Sequence, residues 1–284
     1  MPYLALLFNA LVWGLSWWPL RQLQAQGLHP LWATLLFFLL GGLLIGVSQP
    51  QAGAPGGRTP APGVRALACG ATHAEINWGV STGEVVRAAL LADLTPLWAL
   101  GRAGWGLGDR VSGMAGGRGS LALCGALLVL RPAEGGWPAF SGLADWLGLL
   151  GGMGFAITNV MLRRQSGQPA SARALAMFLG GITLPAALGA VLASQALIPH
   201  WPPLQVAWLL PALALGTLFF VGNMALQYGA SRLPVHITSV VMLTEVLFAA
   251  SSAVWLGGEV LRPSILAGGA LIMAAALMAS RDQA

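Results

Sequence analysis

Three carboxylates stand inside apolar runs of this chain: Glu75, Asp93 and Glu245. Glu245 is the cleanest case, lying mid-run in Ser239-Val240-Val241-Met242-Leu243-Thr244-Glu245-Val246-Leu247-Phe248. A charge at bilayer depth costs roughly 2.5–3.5 kcal/mol, so its retention there asks for a role. A carboxyl in apolar surroundings can load and release a proton, which makes Glu245 and Asp93 candidates for proton coupling. The plain alternative for Glu245 is a structural carboxyl hydrogen-bonded between helices, and for Asp93 a substitution tolerated in the protein interior. Asp93 stands near Pro96, which removes a backbone hydrogen bond and can kink a helix, with Arg87 or Arg102 as candidate partners.

The neutral polar and aromatic residues suggest a binding surface. Asn77, Asn159, Asn223 and Gln227 could hold a polar substrate, or hydrogen-bond between helices for about 1 kcal/mol each. Asn223 and Gln227 share a helix face at i, i+4, as do His73 and Asn77, and Trp13 and Trp17. With Trp98, the pair Trp13 and Trp17 could wall an amphipathic ligand, or simply pack. Asp109 and Glu259 precede helices and read as structural, each facing the positive end of the helix that follows. No second His or Cys falls at metal spacing near His73. Gly116-Gly117-Arg118-Gly119 lacks the Lys-Ser/Thr of a phosphate loop, and no Ser-His-Asp set is spaced for catalysis. Neither an enzyme, a cofactor nor a metal is expected.

Composition says what must position these groups. Only 8% of the 284 residues are charged, against about 25% in a soluble domain, and mean hydropathy is +0.73. So few charges cannot coat globular domains of this length, so the chain belongs in a bilayer. All 14 basic residues are Arg, scattered singly or in pairs, which excludes a nucleic-acid partner. Runs long enough to span lie near 3–21, 31–48, 65–82, 86–106, 113–131, 142–162, 172–193, 207–228, 235–256 and 263–280. Several Trp fall near their ends, as an interfacial belt would place them: Trp32, Trp105, Trp137, Trp146, Trp201, Trp208 and Trp255. Ten spans put both termini on one side, and ten of the 14 arginines then lie on that side, which makes it the cytoplasm.

The chain also repeats itself. An offset of 150 aligns residues 79–127 with 229–277 at 12 identities, among them Trp105/Trp255, and sets Asp109 against Glu259. An odd number of spans per half forces opposite orientations, the arrangement of many secondary transporters. The fold class expected is therefore all-α integral membrane, ten transmembrane helices as two five-helix inverted-topology repeats. The halves run 1–132, with a Pro/Gly-rich loop at 49–64, and 141–281. Small residues at Gly113, Gly116, Gly117, Gly119 and Ala267-Gly268-Gly269-Ala270 offer a packing face or a homodimer face.

Trp13-Gly14-Leu15-Ser16, Asn77-Trp78-Gly79-Val80, Thr95-Pro96-Leu97-Trp98 and the acidic turns at Asp109 and Glu259, in this order and partly duplicated, resemble the drug/metabolite transporter superfamily. The resemblance is to bacterial proteins with two EamA-type domains and covers nearly the whole chain. It implies a carrier in the bacterial cytoplasmic membrane that moves a small metabolite by alternating access, driven by an ion gradient. Few buried charges favour a neutral, zwitterionic or amphipathic substrate over a polyanion. The first half departs from the pattern: residues 64–131 carry ten charges where 214–281 carry five. That excess keeps open a non-transporting or drifted membrane paralogue or subunit. An integral membrane enzyme on lipid-linked substrates should cluster His, Asp or Arg at one membrane face, and no such cluster is present.

Overall fold

A computed structural model describes residues 1–48, 61–94, 97–98, 113–164, 170–233 and 235–281. Among these the regular structure is helical throughout, without a strand. The helices are α1 (Pro2–Leu15), α2 (Trp17–Ala25), α3 (Pro30–Ser48), α4 (Ala61–Thr82), α5 (Val85–Ala92) and α6 (Gly113–Val129). They continue with α7 (Leu143–Arg164), α8 (Ala170–Ser194), α9 (Val206–Ala230), α10 (Val235–Met242), α11 (Thr244–Gly257) and α12 (Pro263–Arg281).

Among the described residues five stretches are long and apolar enough to cross a membrane: Pro2–Ala25, Pro30–Val47, Met177–Ser194, Val206–Ala230 and Val240–Gly257. Three shorter apolar helices, Gly116–Val129, Leu143–Thr158 and Pro263–Ala279, fall where spans were expected. The burial pattern is that of a protein solvated by lipid. Leu43, Val47, Leu210 and Leu266 are exposed, whereas Asn9, Thr34, Asn77, Arg87 and Asp145 are buried. Of the expected interfacial Trp, Trp137 and Trp255 lie on the surface, but Trp32 and Trp208 are buried. Trp201 bridges that pair, its ring 5.7 Å from Trp32 and 6.1 Å from Trp208.

Two expected spans are interrupted. The run from residue 86 stops as a helix at Ala92, and Leu97–Trp98 turn again with both N–H groups bonded to the Leu94 carbonyl. The run from 235 stops at Met242 and restarts at Thr244. At the offset of 150, Val85–Ala92 falls on Val235–Met242 end for end, and the start of α6 falls on that of α12. The first span also bends, at Ser16, whose hydroxyl and N–H both bond the Trp13 carbonyl.

Glycines set how closely the interrupted spans are held. A Cβ on Gly14 of α1 would come within 2.7 Å of the Glu245 carbonyl, and one on Gly148 of α7 within 2.6 Å of the Ala88 carbonyl. Gly152 meets the Ala92 carbonyl in the same way, one residue before the break at Asp93. The small-residue face of α12 is used within the chain: Gly268 lies against the Gly125 carbonyl of α6.

Candidate functional site

A cavity lies among α1, α3, α4, α8 and α9. Its walls are Trp13 of α1, Phe37, Phe38 and Gly41 of α3, and His73 and Asn77 of α4. Opposite them stand Met177 and Phe178 of α8, and Gly216, Phe219, Phe220 and Asn223 of α9. The space between the walls is about 360 Å³, mouth included, but only about 30 Å³ admits a water-sized atom. The rings interlock: Trp13 sits 4.6 Å from Phe219 and 5.4 Å from His73, and Phe38 sits 4.8 Å from His73.

Each polar wall residue has a fixed orientation. Asn77 Nδ2 donates to Thr34 Oγ1 at 2.9 Å, and Thr34 passes its own proton to the Pro30 carbonyl at 2.8 Å. Asn223 Nδ2 donates to the Phe219 carbonyl at 2.9 Å, and His73 Nδ1 donates to the Cys69 carbonyl at 2.8 Å. A carbonyl can only accept, so the amide flip of Asn223 and the tautomer of neutral His73 follow from their partners. Asn77 Oδ1 is buried and has no partner among the described residues.

The structure thus brings three of the sequence candidates, Trp13, Asn77 and Asn223, into one cavity. Trp17 is placed elsewhere: it is buried, and its indole N–H donates to Ser252 Oγ on α11 at 2.8 Å. Gln227 lies on the exposed face of α9, although it is one turn from Asn223. Trp98 is half-buried, its indole N–H without a partner among the described residues. Asn159 belongs to α7, and its side chain lies outside the described residues. Arg102, Trp105 and Asp109 also lie outside them.

The carboxylates occupy the interruptions. Asp93 is the residue on which α5 ends, and Glu245 lies in the first turn of α11. Each is half-buried. Asn9 of α1 reaches the same region, its amide 3.7 Å from the Met242 sulfur at the end of α10. Sequence reasoning passed over Asn9, although it stands alone in an apolar helix and one turn before Trp13.

Arg87 does not pair with Asp93. Its guanidinium grips Asp145 of α7 through two bonds of 2.7 Å and also donates to the carbonyls of Val129 and Ala139. Asp145 receives the Ser141 N–H and hydroxyl as well, so this buried pair is fully satisfied. Glu259 differs too. It caps α5, 174 residues away in sequence, instead of the helix that follows it. Its Oε1 accepts the Val85 N–H at 2.8 Å and its Oε2 the Val86 N–H at 3.4 Å. Arg21 lies 3.6 Å from Glu259 and donates to the Gly83 carbonyl, while Arg262 pairs with Glu84 at 3.0 Å. These contacts form a clasp at the end of the bundle opposite the termini.

Residues 142–281 match the model of the EamA-like transporter family. Through this half the chain belongs to the drug/metabolite transporter superfamily. It is a multi-pass membrane protein of a transporter family. One solved structure, described only as a crystal structure of a protein, is similar over 98% of this chain and 96% of its own, with a TM-score of 0.60 and 18% identity. At that identity the likeness concerns the fold alone. No curated protein matches the sequence.

Proposed function

We propose that this chain is a secondary transporter that exports a small neutral, zwitterionic or amphipathic metabolite across the bacterial cytoplasmic membrane. It works by alternating access between two inverted five-helix halves, with both termini cytoplasmic, and couples to protons through Glu245 and Asp93. The observation that carries the reading is the pair of interrupted spans. Both break at the same place in the repeat, and each presents a carboxyl at its break. Interrupted helices in corresponding positions of two halves are where transporters place substrate and coupling ions. An aromatic cavity takes Trp13 of α1 as one wall, and the next residue, Gly14, lies against the Glu245 carbonyl.

A metabolite comparison of cells with and without the protein supplies the substrate to assay. In proteoliposomes under an imposed pH gradient, Glu245→Gln should lose uptake of that compound at least tenfold. It should keep substrate exchange without a gradient, because exchange needs no net proton movement. Gradient-driven uptake at the parent rate would remove Glu245 from the mechanism.

A further inference from the structure

The chemistry of the cavity wall narrows the substrate, on the reading of the chain as a transporter. Three polar side chains face the space, and each spends a donor on the protein. Asn77 gives an N–H to Thr34, Asn223 gives one to the Phe219 carbonyl, and His73 gives its Nδ1–H to the Cys69 carbonyl. Those partners leave acceptors over: the amide oxygens of Asn77 and Asn223. Asn77 is only 2% exposed, and its oxygen has no partner among the described residues, a deficit that a ligand's N–H would relieve.

Apart from Gly41, Gly216 and Met177 the rest of the wall is aromatic, and among the described residues no Arg or Lys lines it. Aromatic faces carry negative charge and attract cations, most strongly where water is excluded. Acceptors without a cationic partner disfavour a carboxylate, which would arrive as a buried, unpaired charge. We infer that the cavity binds a primary or secondary ammonium carried on a small apolar body. The ammonium is held by the Asn77 and Asn223 oxygens against the faces of Trp13 and Phe219, and the apolar part lies along Phe37. In this structure Phe38 and Phe178, 5.9 Å apart, narrow the space, so occupancy requires these two rings to separate.

The probes are 2-phenylethylammonium, phenylacetate and 2-phenylethanol, which share a body and differ in head group. Equilibrium binding to the purified full chain in detergent needs no gradient, so it reports on this site alone. The ammonium should bind at least tenfold more tightly than either of the others. Asn77→Leu and Asn223→Leu should each reduce that preference at least fivefold, with melting temperatures recorded so that an unfolded variant is set aside for the other. Phenylacetate or phenylethanol binding as tightly as the ammonium, no binding of any probe, or a preference unmoved by both variants would each overturn the inference. Ammonium binding with normal preference in a protein whose Glu245→Gln variant still transports would instead remove only the proton-coupling reading.

Discussion

His29 shows how a single buried side chain makes this fold sensitive to pH. It lies between α2 and α3, 6% exposed, with its ring 4.9 Å edge-on from Trp78. Its Nδ1 accepts the Leu31 N–H at 3.3 Å, an arrangement that suits the neutral ring. Burial pushes its pKa down to about 4. An unfolded chain therefore binds more protons than the folded one between about pH 6.5 and 4, and stability falls as pH drops through that window. The melting temperature in detergent should decline from pH 7 to pH 5, by the equivalent of about 2 kcal/mol. His29→Gln, which keeps an acceptor for Leu31 but does not titrate, should flatten the decline. An equal decline in that variant would assign the sensitivity to other groups. Arg87 and Asp145 teach a different lesson at this scale. Spacing along the chain offered Asp93 as the partner of Arg87, because Asp93 is near in sequence. The true partner stands 58 residues on, and only the tertiary packing of α5 against α7 makes it a neighbour. Arg87, one of the ten charges of residues 64–131, is thereby part of a satisfied buried pair.

At the scale of elements, the helical runs and the offset of 150 were legible because both are periodic properties of the chain. The apolar runs gave the helices, and at the offset of 150 the ends of Val85–Ala92 fall on those of Val235–Met242. The interruptions themselves were only half legible. Pro96 marked the first, but nothing in Val241-Met242-Leu243-Thr244 announces that a helix ends at Met242 and restarts at Thr244. Nor could helix periodicity tell that Trp13 faces a cavity while Trp17, one turn on, bonds Ser252. The bend at Ser16 lies between them, and what each meets is set by α4, α9 and α11. Glycine supplies the test here. Gly14→Ala puts a methyl 2.7 Å from the Glu245 carbonyl and from Phe248 Cβ, so α1 and α11 must separate. A loss of about 1–3 kcal/mol is expected, seen as a lower melting temperature and as reduced gradient-driven uptake. Gly46→Ala, where a Cβ would meet nothing within 4 Å, is the control and should melt no lower than the parent. Equal melting of the two variants would mean that the close approach of α1 to α11 contributes nothing.

The whole molecule is polar in a second sense, because its two ends differ. The end opposite the termini is tied shut across the halves by Glu259 on α5, by Arg21, and by the Arg262–Glu84 pair. At the other end Arg118 of α6 donates to the Met278 carbonyl of α12 at 3.4 Å, an exposed contact without a carboxylate. A carboxylate at a helix N-terminus contributes about 0.3–1 kcal/mol, and up to about 2 when partly buried. That is strong enough to bias a two-state equilibrium and weak enough to break in each cycle. Glu259→Ala should therefore shift the population toward a state open at the clasped end. The measurement is labelling by a membrane-impermeant thiol reagent of Asn223→Cys, in a background carrying Cys69→Ala and Cys124→Ala. In the parent, the reagent should reach position 223 only from the side that holds the termini. With Glu259→Ala added, labelling from the opposite side should rise at least threefold, while Arg262→Ala alone, which removes an exposed pair, should change it less. Labelling that stays one-sided in Glu259→Ala would show that the cap on α5 is a fixed structural contact, and that the end it ties does not open.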